Sequence, residues 1–298
     1  MSASSIGLVL NAVICAVREG DPVFYTIPTV DDRPALPAGP LVPRIDRTLE
    51  AGLRRWVSEQ TNVALGYVEQ LYTFGDEGRE GEDRSRVVSI GYLGLTRLET
   101  AEAGWRDVYA TFPWEDWRHE RPRVLDEVAE ALSHWAGDRP LRKERLALAF
   151  GSEQLPWNDE RVLDRYELLY EAGLVREAVL DGRTDDRPIM DATGRSLKGD
   201  HRRILATALA RLRSKMKYRP LAFELMEESF TLGVLQETVE AIYGRQVHKQ
   251  NFRRMVESAQ LVEYTGETRR GASGRPARLY RFRPAVLRER PAPGLKVR

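Results

Sequence analysis

FTLGVLQETVEAIYG (230–244), RQVHKQNFRRMVESAQLVEY (245–264) and TGETRRGASGRPARLYRF (265–282) form the stretch whose reading decides the fold. The first two blocks hold two short helical patterns, Val234–Tyr243 and His248–Ala259. A strand, a Gly/Arg-rich loop and a second strand follow. That order specifies a helix-turn-helix with a β-wing, a unit that lays its second helix in the major groove of DNA. Arg245, Lys249, Gln250, Arg253 and Arg254 sit at or near the start of the second helix, and positions 250, 253, 254 and 257 share one face. Gln can read adenine and Arg guanine through paired hydrogen bonds. The sequence leaves open which of Arg253 and Arg254 meets a base. The wing, Thr265–Pro276, carries Arg269, Arg270 and Arg275 for phosphates or the minor groove. Gly266, Gly271 and Gly274 allow close backbone approach, while Leu279, Tyr280 and Phe282 are expected to pack the wing strand.

Charge is segregated in the same direction. The whole chain has a net charge of +1 from 46 basic and 45 acidic residues. Residues 201–298 hold 21 Lys and Arg against 9 Asp and Glu, a balance of +12, which leaves −11 on residues 1–200. An acidic body joined to a basic end is the asymmetry of a protein that meets a polyanion with one part only. With 298 residues, 42% of them hydrophobic, the chain is long and apolar enough for two or three packed units. Cys15 is the single cysteine, so no intramolecular disulfide forms, and it lies in the apolar run Ile6–Val17 as a buried, inert thiol. That run is too short for a membrane span and lacks a basic leader, so it reads as a buried strand of a cytoplasmic protein.

Upstream of the winged unit, Leu8–Val17 and Pro22–Ile27 read as a hairpin turning at Glu19-Gly20-Asp21-Pro22. A Pro-rich connector, Leu36–Asp46, leads to a helix expected from Asp46, as its N-cap, to about Thr61. Strands are expected at Tyr67–Phe74 and Arg86–Thr96, joined by the charged, Gly-rich loop GDEGREGEDRS (75–85). Helices are expected at Pro122–Ala136, Arg139–Phe150 and Asp159–Ala172, the last stopped by Gly173. Asp181–Gly199 is the linker expected before a helix at Asp200–Lys217. The Trp set (Trp105, Trp114, Trp117, Trp135, Trp157) is expected to pack cores or interfaces, with an adenine platform as the other reading. His119, His134, His201 and His248 show no metal-ligand spacing. These elements give an α+β chain with units at 1–137, 138–199 and 200–298.

LPAGPLVPRIDRTLEAGLRRWVSEQTNV (36–63) resembles a Nudix box, whose helix ends in Arg-Glu-apolar-x-Glu-Glu-x-Gly-apolar. Arg55 takes the Arg position, Trp56 the first Glu, Val57 the apolar site, Glu59 and Gln60 the Glu pair, Asn62 the Gly and Val63 the last position. Leu36-Pro37 matches the pair that commonly precedes the box. Gly39 would be its opening Gly, two residues too far from Arg55. In that family the Glu side chains hold a divalent metal that activates water against a nucleoside diphosphate. Only Glu59 survives here. Trp56 cannot ligate a cation, and Gln60 offers a neutral carbonyl. The resemblance therefore implies a Nudix-like α/β/α domain with negligible hydrolysis, no catalytic residues, no metal and no required cofactor. Together with HRRILATALARLRSKMKYRPLAFELMEESFTLGVLQETVEAIYGRQVHKQNFRRMV (201–256) and GASGRPARLYRF (271–282), the chain resembles the Nudix-related transcriptional regulators of NAD metabolism. Its length is closer to the proteobacterial NadQ-type branch than to the short ADP-ribose-responsive members.

That resemblance implies a repressor of NAD biosynthesis genes, bound as a homodimer to a palindromic operator in double-stranded DNA. It implies an effector nucleotide, NAD, ATP or ADP-ribose, and no membrane partner. Arg44, Arg47, Arg54 and Arg55 are the candidate contacts for a diphosphate, with the loop Gly75–Asp83 closing over it. The helix Asp200–Lys217 is the natural lever between sensor and reader, and is expected at the dimer interface. Two other readings stand beside this one. An active Nudix hydrolase of ADP-ribose or NAD-type dinucleotides with a basic C-terminal domain would release AMP or ribose phosphate. A nucleic-acid-binding module without an effector would respond to no nucleotide.

Overall fold

The computed structural model describes residues 6–75, 86–98, 103–185, 189–218, 221–270 and 276–284. Its centre is β1 (Ile6–Arg18), apolar on both faces. β1 turns through Glu19-Gly20 into the antiparallel β2 (Asp21–Tyr25). It also pairs with β3 (Ala38–Pro40) and lies parallel to β5 (Arg86–Leu95), with Val13 opposite Leu93. β4 (Val68–Phe74) and β6 (Trp105–Asp107) complete a mixed sheet of order β4-β5-β1-β2-β6. Alternation along β1 splits its side chains between two cores. Leu10, Ala12, Ile14 and Ala16 pack with Leu53 and Val57 of α1 (Leu49–Gln60). Val13 and Cys15 join the larger core, which also takes in Ile204, Leu205 and Leu209 from further along the chain. Burial pushes the Cys15 thiol up to about 12, so it is inert, as the apolar run suggested.

The helices follow in the expected order with adjusted ends. α2 (Val108–Thr111) and a 3₁₀ turn (Pro113–Glu115) lead to α3 (Val124–Ala136), α4 (Pro140–Phe150), α5 (Val162–Glu171), α6 (Arg176–Leu180), α7 (Ile189–Ala192) and α8 (His201–Met216). Gly173, with φ near 69°, stops α5: its own N–H donates to Tyr170 O (3.1 Å) and that of Leu174 to Leu169 O (2.8 Å). This is the Schellman arrangement that a left-handed residue permits. Two expectations are corrected. Thr48, not Asp46, caps α1 by accepting from Ala51 N, because Asp46 is turned inward to Arg55. The described part of Asp181–Gly199 is no free linker, since Thr193 and Leu197 are fully buried and Thr193 Oγ1 donates to Leu174 O. α8, expected as a lever at a dimer interface, is mostly enclosed by the chain itself, with ten of its sixteen residues buried and the rest only partly exposed. Its small Ala206 and Ala208 let neighbouring elements pack closely, while Arg203, Arg211, Ser214 and Lys215 keep one side partly exposed.

A charged hub crosses this core. The Glu115 carboxylate receives Arg165 Nε at 2.5 Å and Arg213 Nη1 at 2.5 Å, and all three side chains have zero exposure. Arg165 also donates to Ala149 O and Asn158 O, and Arg213 to Ile242 O and Asp159 O. Burial alone would raise the Glu115 pKa, but the two guanidiniums outweigh it and hold the carboxyl below its ordinary value. A third buried arginine, Arg202, donates to Glu177, Thr111 O and Thr193 O.

Glu115→Gln removes the charge that compensates two buried arginines, and is expected to cost about 3–5 kcal/mol in denaturant unfolding. Glu120→Gln, at an exposed pair with Arg123, should change stability by less than about 0.5 kcal/mol. Because the Glu115 pKa is lowered on folding, its contribution is present above the unfolded value of about 4.3 and lost as pH falls through the folded one. An acid titration of unfolding free energy should therefore be steeper in the wild type than in Glu115→Gln.

Candidate effector site and nucleic-acid interface

The box region of the body is closed by its own substitutions. Trp56, where the resemblance puts a ligating Glu, lies flat against Gly39 and donates from Nε1 to Pro40 O at 2.8 Å. A Cβ at position 39 would overlap the indole. Gln60 clamps Ala38 on both sides: its Oε1 accepts from Ala38 N (2.9 Å) and its Nε2 donates to Ala38 O (2.7 Å). The surviving Glu59 pairs with Arg55 Nη1 at 3.2 Å. Among the described residues no three His, Cys, Asp or Glu side chains are placed to share a metal ion.

The four arginines expected near the diphosphate divide into two pairs. Arg55 grips the buried Asp46 through Nε and Nη2, both at 2.9 Å, and stacks over Trp56 with 4.4 Å to the ring centroid. Those hydrogen bonds hold Asp46 below the ordinary carboxylate value. Arg54 donates to Glu50 and to Leu65 O. Both are already engaged within the chain, Arg55 with the buried Asp46 and Arg54 in an exposed pair with Glu50, so either would have to leave an acid to meet a ligand. Arg44 and Arg47 are exposed, on the loop between β3 and α1, with no acidic partner among the described residues. The loop Gly75–Asp83 lies outside the described residues after its first position.

At the other end, α9 (Leu232–Tyr243) is capped by Thr231 Oγ1, which accepts from Val234 N. Gly244, in the left-handed region at φ 69°, turns the chain toward α10 (Lys249–Ser258). A Cβ on Gly244 would collide with Glu115 O, so this turn rests directly on the hub. Phe252 and Val256 of α10 are fully buried and seat the helix, leaving Lys249, Gln250, Asn251, Arg253, Arg254 and Glu257 exposed. The expected face is therefore assembled. Arg254 Nη2 donates to Asn251 Oδ1 at 3.0 Å, whereas Arg253 has no partner among the described residues.

β7 (Val262–Arg270) and β8 (Pro276–Phe282) form the wing, and Phe230 adds a bridge to Tyr280 through hydrogen bonds of 2.7 and 2.8 Å. Leu279 and Phe282 are buried and Phe230 packs on Phe282 at 4.9 Å, so the wing strand packs as expected. Arg269 is exposed and pairs loosely with Glu227 at 3.2 Å. Only the backbone of Arg270 is described; Arg275, Gly271 and Gly274 lie outside the described residues. Two residues depart from expectation. Arg245 points into the body, 2.6 Å from Asp159 Oδ1, and not onto the exposed face of α10. Arg278 was missed; it is exposed on the wing, its guanidinium 5.5 Å from the Tyr264 ring centroid, and its place beside Tyr280 was the available signal.

Residues 222–282 match the family model described as the NrtR DNA-binding winged helix domain. The C-terminal domain is an NrtR-type winged helix. A curated relative from Acinetobacter baylyi, an "ADPR responsive transcriptional repressor NtrR", is 42% identical over 83 residues, 28% of this chain. The match spans 33% of that relative's length. Crystal structures of Shewanella oneidensis NrtR align over nearly the whole chain. The one with a 27mer DNA gives a TM-score of 0.56 at 21% identity, covering 94% of each chain. A MutT/nudix family protein from Enterococcus faecalis aligns at TM-score 0.54 and 16% identity, over 95% of this chain and 88% of that one. These likenesses show the fold: a Nudix-like α/β/α body with an NrtR-type winged helix at its C-terminal end. No helix among the described residues is long and apolar enough to cross a membrane.

Gln60→Leu would leave the N–H and C=O of Ala38 without their side-chain partner. A loss of about 1–3 kcal/mol is expected by thermal unfolding, larger than for the exposed Asn62→Ala.

Proposed function

We propose that this chain is a DNA-binding transcriptional repressor of NAD biosynthesis genes, controlled by ADP-ribose bound to a catalytically inactive Nudix-like body. The observation that carries the reading is the α10 face. Phe252 and Val256 anchor a helix whose opposite side offers Gln250, Arg253 and Arg254 in an NrtR-type winged helix. Gln250 and one of the two arginines read base edges, with Lys249 and the wing residues Arg269, Arg270 and Arg275 on the backbone. The ADP-ribose responsiveness stated for the Acinetobacter relative supports ADP-ribose over NAD or ATP. Arg44 and Arg47 are the free cations for its diphosphate, beside the box.

The replacement of metal-binding carboxylates by Trp56 and Gln60, both locked to β3, supports a body that binds without hydrolysing. The units 1–137, 138–199 and 200–298 then serve as sensor, extension and reader of a cytoplasmic homodimer on a palindromic operator. Control follows from linkage, since an effector changes DNA affinity only by binding the competent and incompetent arrangements differently.

In a gel-shift titration, Arg253→Ala or Arg254→Ala should cost about 1–3 kcal/mol on the specific duplex, whichever reads a base. Arg269→Ala should weaken all duplexes alike and reduce the salt slope by about 1. Full affinity in both α10 variants refutes the interface. A thermal-shift panel should show stabilisation by ADP-ribose, recovered intact; release of AMP would restore the hydrolase reading.

A further inference from the structure

Arg245 lies in the turn that carries the DNA-reading helix, yet its side chain is spent on the body. Its backbone is held there as well. Trp117 N donates to Gly244 O at 2.7 Å, and residues 117 and 245 form a parallel bridge. The Arg245 guanidinium stands 2.6 Å from Asp159 Oδ1 and 5.9 Å from the Trp117 ring centroid. Trp117 is itself fixed, donating from Nε1 to Trp114 O at 3.1 Å and packing on Trp157 at 4.9 Å. Asp159 is fixed through its carbonyl, which accepts from Arg213 at 2.9 Å. The far side of the same turn is tied to α9: Val247 N donates to Glu240 Oε1 and Gln236 Nε2 to Val247 O. Lys249, the first residue of α10, follows two positions later. The five-residue turn, 244–248, is thus a bracket with one arm on α9 and the other on the body.

We propose that Asp159 and Trp117, both outside the winged helix, position the DNA-reading helix by holding Arg245. Arg245 is on this account a positioning residue, and the Asp159–Arg245 pair is where the body's state reaches the reader. The inference rests on the functional reading above and names its route of regulation. Asp159 lies three positions before the start of α5, and Trp117 follows the 3₁₀ turn that carries Glu115. A ligand that moves either element shifts the anchor of the turn, and so the pose of α10 in the groove. The pair is only partly exposed, 35% for Arg245 and 20% for Asp159, so solvent does not replace it freely.

The test is fluorescence anisotropy with the full chain on a duplex that the wild type selects from a randomised library, with and without ADP-ribose. The readout is the ratio of the two DNA dissociation constants. Wild type should show a ratio of about fivefold or more in either direction. Arg245→Gln and Asp159→Asn should each pull that ratio toward one, with the double variant no worse than either. Arg245→Lys, which keeps the cation, should restore most of it, and whichever of Arg253→Ala and Arg254→Ala lowers affinity should leave the ratio unchanged. Thermal melts of the variants should stay within a few degrees of wild type.

An Arg245 that contacts DNA would instead lose affinity equally with and without ADP-ribose, while Asp159→Asn stays silent; that result overturns the proposal. Unchanged ratios in the Arg245→Gln and Asp159→Asn variants overturn it equally, and leave the functional reading intact. A wild type that selects no duplex or ignores ADP-ribose overturns the functional reading, and this inference with it.

Discussion

One buried carboxylate between two buried guanidiniums organises this molecule. Glu115, Arg165 and Arg213 have no exposure and come from three places: the 3₁₀ turn after the sheet, α5 and α8. Taking such charges out of water costs several kcal/mol for each ion, and the cost is offset only where geometry and further hydrogen bonds are complete. Here they are close to complete. Arg165 closes its fork on Glu115 through Nε and Nη2 and gives Nη1 to two carbonyls, whereas Arg213 reaches Glu115 through Nη1 alone, donates from the same nitrogen to Asp159 O and from Nε to Ile242 O. Trp157 covers the Arg165 guanidinium at 3.9 Å. The arrangement is demanding, so removing a member does more harm than a hydrophobic replacement of the whole would.

The hub also ends α9. The last carbonyls of a helix lack partners within it and carry partial negative charge. Ala241 O accepts from Tyr109 Oη at 2.5 Å and Ile242 O from Arg213 Nε at 2.9 Å, while Tyr243 Oη donates back to Arg213 O. The body thereby supplies the C-terminal cap of a helix in the DNA-binding domain, and Gly244 follows with no room for a side chain. A winged helix held this way is not a reader on a tether. Its turn, and through the turn α10, takes its position from the body's core. On the functional reading proposed above, this is the route by which an effector on the acidic body would reach the basic, DNA-reading end.

What the sequence made legible was local. The α9–α10–wing order, the hairpin at Glu19-Gly20 and the Gly173 stop follow from spacing and turn chemistry between near neighbours. The failures are pairings over long separations. Asp46 reads as an N-cap because Asp is a good one, but Arg55, nine residues on, draws it inward. Arg245 reads as a DNA contact by proximity to α10, while its partner lies 86 residues upstream in Asp159. α8 reads as a lever on a surface because one apolar face is obvious; the second face is built from alanines and from Arg202 and Arg213, which a charge count assigns to solvent. A sharper signal was present. Arg213 follows Leu209 by four residues, and Arg165 falls between Val162 and Leu169, so both occupy apolar-stripe positions. An arginine in an apolar stripe implies a buried acid to meet it, and the sequence alone does not say which acid.

Native-state hydrogen exchange tests most directly whether the reader belongs to the body's core. If the hub unites them, amides of α5, α8 and α9 open together with one free energy, and Glu115→Gln lowers protection in all three. Contradiction would come from α9 and α10 exchanging as a separate, less stable unit whose protection is untouched by that substitution.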